Sequence, residues 1–293
     1  MKLNRFNPAN IRVRGGSSAG GGGSFPGGGG GKLGCGTIII AAIAYFAFGA
    51  DPMQTIGAIG EMQDGAPAQQ TAAPGAQGTE ACETGPYALE ACNALGSLNE
   101  TWQPLFQQAN IPFEQPVLTL FSGSTRSGCG AASSAMGPFY CPSDQGIYID
   151  TAFYDTMQRQ LGAGGDFARY YVMAHEYGHH IQHMTGLADQ IRSAQQRSPA
   201  RSNELQVRME LQADCYAGVW AGLNRNLIEP GDMEEGMAAA AAIGDDALQR
   251  GAGQRVSPES FTHGTSAQRM EWLKRGLQTG DEDQCDTFAD LRS

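Results

Sequence analysis

The stretch "YVMAHEYGHHIQHMTG", residues 171–186, holds four of the five histidines of the chain around a His-Glu-x-x-His motif. On a helix, His175 and His179 lie four residues apart and project from nearly the same side, so both imidazoles can bind one Zn²⁺. Glu176 is turned about 100° from the first histidine, where it can act as general base toward a water at the metal. The motif therefore indicates a hydrolytic zinc site.

A catalytic zinc needs a third protein ligand, and the neighbouring histidines do not supply it. A metzincin would continue with glycine and histidine where this chain has Gln182 and Thr185, so that class is excluded. His183 lies about 12 Å along the helix axis from His175, too far to share its ion. His180 points away from the ligand pair. Both extra histidines are therefore expected at the surface or behind the ligands.

A better third ligand lies in a second predicted helix, "RMELQADCYAGVWAG". Glu210 and Asp214 stand four residues apart there and share one face. Glu210 can supply the carboxylate ligand, and Asp214 can accept the outer N–H of a ligating histidine and fix its tautomer. Two acids at this spacing usually form a solvated face, but the small and apolar flanks indicate burial. Glu204 is a weaker alternative, because no second acid follows it at the helical spacing.

Six of the seven cysteines form an even set in which no Cys-x-x-Cys spacing occurs, and Cys35 stands alone. This pattern favours disulfides in an oxidising compartment over a thiolate metal site. The preferred pairs, of which the first two close short loops, are Cys82 with Cys92, Cys129 with Cys141, and Cys215 with Cys285. Six free buried thiols are the alternative.

The charge of the chain narrows the choice of partners. The net charge of the 293 residues is −11, and residues 51–293 carry 14 basic and 30 acidic groups. This acidic region repels the phosphate backbone of nucleic acids, so nucleic acid is excluded as a partner. A nucleotide-binding loop is also absent from the sequence, so no nucleotide is expected.

An uncharged apolar run, residues 33–50, predicts one transmembrane helix about 27 Å long. The nearby positive charges all precede it, which predicts a cytoplasmic N-terminus and a folded domain outside the bacterial inner membrane. Membrane lipid is then a partner through this anchor. A cleaved signal peptide is the alternative, although the 32 residues before the run are too many for its charged region.

Composition divides the chain into a basic, Gly-rich cytoplasmic tail (1–32), the transmembrane helix (33–50), a low-complexity linker (51–80) and a folded domain (81–293). Within the domain, "PVLTLFSG" predicts a strand and "GPFYCPSDQGIYID" a β-hairpin. Helices are expected at about 90–110, 166–186, 202–224, 232–250 and 266–278. Strands followed by helices predict the α+β class, a mainly helical domain with a small sheet.

Three blocks in order, "HEYGHHIQ", "ELQADCYAGVW" and "FTHGTSAQRMEWLKRG", resemble the bacterial neutral zinc metallopeptidase family. The likeness covers roughly residue 34 to the C-terminus. It implies a zincin-like fold of the gluzincin type in which His175, His179 and Glu210 hold one zinc ion and Asp214 supports a ligand.

The third block is also similar to a stretch of membrane-associated gluzincins, which implies that His263 and Arg269 lie near the site. His263 would then steady the oxyanion of a tetrahedral intermediate. A loop histidine that caps the helix beginning near Ser266 is the alternative.

Together these patterns predict a membrane-anchored zinc endopeptidase that acts on a protein or peptide substrate, with Glu176 as general base. The alternatives are a zinc-bearing envelope protein without proteolytic activity and a metal hydrolase of cell-wall peptides. Glu176 argues against the pure binding protein, because only the activation of water requires it. By analogy, the strand "GIYID" is expected to hold an extended peptide by edge pairing.

Overall fold

The computed structural model describes residues 1–15 and 78–291. The helices are α1 (Pro86–Gln108), α2 (Thr151–Gln160), α3 (Asp166–Met184), α4 (Leu187–Arg197), α5 (Ser202–Leu223), α6 (Asp232–Ala242), α7 (Asp245–Gly251) and α8 (Ser266–Thr279). The strands are β1 (Arg12–Gly15), β2 (Val117–Phe121), β3 (Ser124–Ser127), β4 (Gly130–Ser133), β5 (Phe139–Cys141) and β6 (Gly146–Asp150). The chain therefore forms a mainly helical domain with small sheets, as its sequence predicts.

The larger sheet has the strand order β1-β2-β6-β5, and β3 and β4 form a separate pair. β1, β2 and β6 are parallel, whereas β5 runs antiparallel to β6 and forms with it the hairpin predicted from the sequence. β6, the "GIYID" strand, lies between β2 and β5 with all five residues buried. The expectation that β6 pairs with a peptide is therefore wrong, because β6 has partners on both sides. In the described sheet, β5 is the edge strand on the side of this hairpin.

The helical core is built around α5, against which α3 and α8 pack. Glycine allows the closest approach: a Cβ at Gly276 of α8 would lie 2.0 Å from the carbonyl oxygen of Cys215 on α5. α8 begins with a capping box, in which Thr265 and Gln268 each bond the backbone N–H of the other. The cap and the glycine contact fix where α8 starts and how closely it lies on α5.

Three disulfides join the pairs that the spacing predicts. Their Cα–Cα distances are 5.9 Å for Cys82–Cys92, 5.8 Å for Cys129–Cys141 and 5.5 Å for Cys215–Cys285. The third connects α5 to the short helix that follows α8, across 70 residues of sequence. Cys35 lies outside the described residues.

The first fifteen residues, which the sequence assigns to a tail, pack into this domain. β1 pairs in parallel with β2, in register from Arg12 opposite Val117 to Gly15 opposite Leu120. The sequence reasoning missed β1 because a four-residue strand with two arginines has neither the length nor the apolar pattern that marks a strand. The sheet is therefore completed by a segment that precedes the rest of the described domain by more than sixty residues.

The membrane prediction is corrected. Between residues 1 and 15 and between 78 and 291, no helix is both long enough and apolar enough to cross a membrane. The run 33–50 itself lies outside the described residues. The pairing of β1 with β2 gives a physical reason, since a single crossing between them would put these two strands on opposite sides of a bilayer. The preceding transmembrane helix, the single-pass inner-membrane localisation and the lipid partner are therefore not retained.

Candidate metal centre

Two crossing helices bring the candidate ligands together. α3 carries the His-Glu-x-x-His motif and α5 carries Glu210. The helices approach closely at Gly178, in the middle of the motif, where a Cβ would lie 2.8 Å from the Cα of Ala213. Because this position has no side chain, the two backbones come close enough for the α5 carboxylate to reach the α3 imidazoles.

The three candidate ligands form one compact group. Glu210 Oε2 lies 3.1 Å from His175 Nε2 and 3.5 Å from His179 Nε2. One donor atom from each of these residues lies within 4.8 Å of the other two. The two imidazole rings are almost perpendicular, with centroids 4.9 Å apart. Two imidazole nitrogens and one carboxylate oxygen are a donor set of catalytic zinc sites, so these residues fit that ion.

The outer nitrogen of each imidazole faces a hydrogen-bond acceptor. His175 Nδ1 lies 2.8 Å from Asp214 Oδ1, and His179 Nδ1 lies 2.9 Å from Gln182 Oε1. These partners favour the tautomer with the ring proton on Nδ1, which leaves Nε2 as the nitrogen available to a metal ion. The sequence reasoning used Gln182 only to exclude a metzincin motif and did not predict this contact. Its spacing of three residues from His179 was the available signal.

Asp214 is held as a carboxylate by two further side chains. Arg269 donates to both of its oxygens, from Nε and Nη2, at 2.9 Å each, and the Tyr171 hydroxyl donates at 2.6 Å. Burial alone would raise the pKa of Asp214, but the Arg269 guanidinium and His175 hold that pKa below its ordinary value. Arg269 is only 2% exposed. Its charge is therefore compensated by Asp214 through a bidentate pair behind the metal group.

Glu210 has one oxygen directed to a supporting residue. Gln206, one turn earlier on α5, donates from Nε2 to Glu210 Oε1 at 2.8 Å, which leaves Oε2 toward the imidazoles. Burial alone would raise the pKa of Glu210, but the nearby His179 and His175 hold that pKa well below its usual range. Glu210 is therefore ionised and can offer a carboxylate oxygen to a metal ion. The sequence reasoning did not identify Gln206, although it lies four residues before Glu210.

Glu176, the predicted general base, is buried and lines the same cleft as the three donors. Burial raises the pKa of its carboxyl group. A carboxylate with a raised pKa is better matched to accepting a proton near neutral pH and then giving it up again.

His263 reaches this cleft from the loop before α8, and Asp245 at the start of α7 holds it. One oxygen of Asp245 accepts the backbone N–H groups of Thr262, His263 and Gly264 at 2.7, 2.6 and 3.1 Å. The other lies 3.0 Å from His263 Nδ1. The ring therefore has its second nitrogen available to the cleft. The sequence reasoning missed Asp245, because nothing local marks a partner 18 residues away.

The cleft has a volume of about 360 Å³, and most of its wall is apolar. Aromatic and aliphatic side chains from five elements contribute: Phe139 and Tyr140 of β5, Phe153 of α2, Val172 of α3, Ile191 of α4 and Met209 of α5. The polar groups of the cleft are those around the three candidate ligands, His263, and Arg192 and Gln195 of α4.

The two remaining histidines of the motif helix lie away from the ligand group. His180 is buried, with Nε2 2.7 Å from the carbonyl oxygen of Glu114 and Nδ1 3.1 Å from the Tyr140 hydroxyl. Burial lowers the pKa of His180 to about 4. His183 is partly buried beside the Tyr140 ring. His180 therefore supports the β5 hairpin instead of lying at the surface.

Glu204, the weaker alternative ligand, is partly exposed and forms ion pairs with Arg201 and Arg208 at 2.9 and 3.1 Å. It does not reach the imidazole pair. A second group of carboxylates, at the start of α3 and α6, surrounds the amino nitrogen of Met1, which lies 2.6 Å from Asp232 and 3.1 Å from Asp166. Among the described residues, the candidate ligand group that faces the cleft is therefore the one on α3 and α5.

Comparison with known proteins agrees with this geometry. Residues 3–288 match the family described as "Putative neutral zinc metallopeptidase". The Escherichia coli strain K12 protein described as uncharacterized protein YpfJ is 52% identical over 197 residues, which cover 66% of this chain and 69% of that protein. The Mycobacterium tuberculosis strain H37Rv protein Rv2575, also described as uncharacterized, is 43% identical over 206 residues, covering 66% and 68%. No solved structure matches the chain significantly. Because the family match includes the complete metal group, the chain belongs to the neutral zinc metallopeptidase family.

Proposed function

We propose that this protein is a zinc-dependent endopeptidase in which His175, His179 and Glu210 hold one zinc ion and Glu176 is the general base. The strongest support is Glu176 itself, a buried carboxylate on the same cleft as a two-histidine, one-carboxylate group. A site that only stores or displays a metal has no use for such a neighbour.

Each side chain of the group then has a defined task. Zinc, when bound, supplies a Lewis acid that polarises the scissile carbonyl and lowers the pKa of water. Asp214 and Gln182 keep the ligand imidazoles in the tautomer that presents Nε2. Glu176 takes a proton from the attacking water and delivers it to the leaving amine, a transfer that its raised pKa favours.

His263 and Arg269 take different positions in this proposal. His263, held through Nδ1 by Asp245, donates from Nε2 in its doubly protonated form to the carbonyl oxygen as negative charge develops on it. Arg269 is engaged by Asp214 and supports the His175 side of the group. His263 is therefore assigned to the substrate and Arg269 to the position of a ligand.

The cleft favours a polypeptide with apolar side chains as substrate. Its aromatic and aliphatic wall, which makes up most of the cleft surface, can bury such side chains. β5 is an edge of the described sheet, and its Phe139 and Tyr140 line the cleft. An extended peptide can therefore pair its backbone with β5 while its side chains enter the cleft.

The test is made on the full chain, with zinc content and cleavage of a peptide library measured together. We expect the unaltered protein to bind about one zinc and to cleave next to large apolar residues. Glu176→Gln should keep the zinc and lose at least about 10²-fold in cleavage rate. Glu210→Ala should lose both, because two imidazoles alone hold zinc weakly.

The control is Glu204→Gln, which changes an acid on the same helix outside the cleft and should preserve both properties. An unaltered protein that holds zinc and cleaves no peptide would contradict the proposal and favour a binding protein. If only cell-wall peptides were cleaved, the proposed hydrolytic chemistry would stand, but the proposed substrate would be wrong.

A further inference from the structure

We infer that the domain formed by residues 78–291 contains a binding site for an extended basic peptide, occupied by the chain's own residues 1–15, the N-terminal segment. We also infer that Arg14 of this segment positions the aromatic wall of the cleft. Both statements concern a surface outside the metal group and do not depend on the proposed chemistry.

Apolar side chains anchor the segment in the core of the domain. Phe6, Ile11 and Val13 are 7%, 8% and 9% exposed and belong to the main hydrophobic cluster. Phe6 and Ile11 pack beside Gly96 of α1, where an added Cβ would lie 3.2 Å from the Cβ of Phe6. The helix therefore has a depression at Gly96 that a larger residue would fill.

Backbone hydrogen bonds fix the path of the segment. The buried Asn99 of α1 donates from Nδ2 to the carbonyl oxygen of Asn10 at 2.7 Å, and Asn93 accepts the N–H of Phe6 at 3.0 Å. β1 then adds to the edge of β2 over four residue pairs. Strand addition combined with side-chain pockets is a common mode of peptide recognition, and it also covers an otherwise open sheet edge.

Charge favours the same contact. The segment carries four basic residues and no acid, whereas residues 78–293 carry 14 basic and 27 acidic groups. Direct ion pairs join the Met1 amino group to Asp232 at 2.6 Å, Arg14 to Asp144 at 3.4 Å, and the exposed Arg5 to Glu83 at 2.9 Å. Exposed pairs of this kind add little affinity, but the complementary overall charges favour association and correct partner choice.

Arg14 connects the segment to the cleft. Its guanidinium donates to the Tyr148 hydroxyl at 2.5 Å, to Thr119 Oγ1 at 2.8 Å and to Asp144 Oδ2 at 3.4 Å, and the Tyr148 hydroxyl donates to the same Asp144 oxygen. The Tyr148 ring stacks on Phe139, with centroids 4.8 Å apart and planes within 4°. Phe139 in turn lines the cleft. Arg14 is therefore a positioning residue, since it holds Tyr148 against the aromatic side chain that a substrate would contact.

The covalent connection is not what places the segment. The carbonyl oxygen of Val13 accepts the N–H of Gly78 at 3.3 Å, so the chain leaves and re-enters the described domain at one point. Residues 16–77 therefore connect two neighbouring points of the domain and do not have to bridge a gap. The contacts themselves must hold the segment, and it should remain bound when the connection is cut.

The first experiment cuts the connection in the full chain. A recognition sequence for a site-specific protease is inserted in the glycine-rich stretch 20–31, and the protein carries a C-terminal affinity tag. After cleavage, capture and washing at micromolar protein, we expect mass spectrometry to find the N-terminal fragment retained. Release of the fragment from the otherwise unaltered protein would overturn the inference.

Two variants make this measurement specific. Val13→Asp combined with Arg14→Ala should release the fragment, because a buried charge replaces an anchor and the Tyr148 contact is lost. Arg12→Ala removes a charge whose one described hydrogen bond is to the carbonyl oxygen of Gln115, so it should retain the fragment. Retention in the double variant would show that these contacts are not the binding surface.

The second experiment tests the positioning role of Arg14 by hydrogen exchange. We expect Arg14→Ala to speed amide exchange about tenfold or more in residues 139–148 and to leave exchange in α3 unchanged. Arg14→Lys, which keeps the charge but cannot reproduce all three hydrogen bonds of the guanidinium, should be intermediate, and Arg12→Ala should match the unaltered protein. If Arg14→Ala left amide exchange at 139–148 unchanged, Arg14 would have no positioning role. The binding site for the segment would then be judged by the first experiment.

Discussion

Asp245 is the residue whose single substitution most directly tests how His263 is held. Its carboxylate accepts three backbone N–H groups and lies against the imidazole, so an asparagine at this position cannot satisfy all of these donors. We expect His263→Ala to lower kcat on a cleaved peptide by about 10²-fold or more, and Asp245→Asn by about tenfold. KM should change little, because the effect falls on the transition state.

The neighbouring Asp246 provides a matched control. Its carboxylate accepts the backbone N–H and the hydroxyl of Ser266, at 2.7 and 2.9 Å. Asp246→Asn should therefore change the stability of the α7–α8 junction more than kcat. Equal losses of kcat in Asp245→Asn and Asp246→Asn would mean that His263 is not positioned by its carboxylate partner.

At this scale, helical spacing predicted residues that share one face of one helix. The motif on α3 and the Glu210–Asp214 pair on α5 follow from a period of 3.6 residues, which fixes neighbours four apart. That the two helices meet with these faces together was an inference from apolar flanks. Asp245 was out of reach, because its relation to His263 depends on a contact between a helix start and a distant loop.

Gly178 tests how the crossing of α3 and α5 controls the metal group. An alanine at this position would bring a Cβ to 2.8 Å from the Ala213 backbone, so the helices must separate. We expect Gly178→Ala to destabilise the fold by about 1–3 kcal/mol. It should also weaken zinc binding, because Glu210 moves away from the imidazoles. Thermal unfolding and zinc titration measure the two effects.

The control for this substitution is Gly85→Ala. Gly85 precedes α1 in an extended conformation, and no atom lies within 4 Å of an added Cβ. Its substitution should leave stability and zinc affinity nearly unchanged. If Gly178→Ala bound zinc as tightly as the unaltered protein, close approach of the helices would not be what sets the ligand geometry.

Elements with strong patterns were predictable, and elements defined by contacts were not. The β5–β6 hairpin and the long helices have clear periodicity. α4 was missed because its apolar stripe, Leu187, Ile191 and Ala194, is short and only partly buried. The helix expected at 232–250 is divided, because at Gly244 the chain passes so close to Ser266 that a Cβ would lie 2.3 Å from its backbone nitrogen. That approach has no signature in local sequence.

For the whole molecule, the spacing of cysteines was more informative than the apolar run. Two of the three disulfides close loops of 10 and 12 residues, so proximity in sequence identified them, and the remaining pair followed. The membrane prediction used only local features, the composition of 33–50 and the charges that flank it. The pairing of β1 with β2 is a contact across about one hundred residues, which no window of composition contains. Long-range strand pairing therefore decided the architecture where local hydropathy gave the wrong answer.

The same long-range pairing predicts that residues 16–77 can be replaced by a short connector. Because the Val13 carbonyl and the Gly78 N–H are hydrogen-bonded, about four Gly and Ser residues are enough to join Gly15 to Gly78. Shortening a 62-residue connection this far removes loop-closure entropy worth about 2 kcal/mol. We expect the shortened chain to fold, to bind zinc as the full chain does and to unfold at higher denaturant.

A second shortened chain separates this prediction from general tolerance of deletions. It has the same connector and also carries Val13→Asp, which should cancel the gain because the strand that the connector joins no longer packs. If both shortened chains were equally stable, residues 1–15 would contribute nothing to the domain. If the first failed to fold while the full chain folds, residues 16–77 would have to contribute contacts of their own. If β1 completes the sheet, the shortened chain must gain stability, and that gain must be lost when Val13 is replaced by Asp.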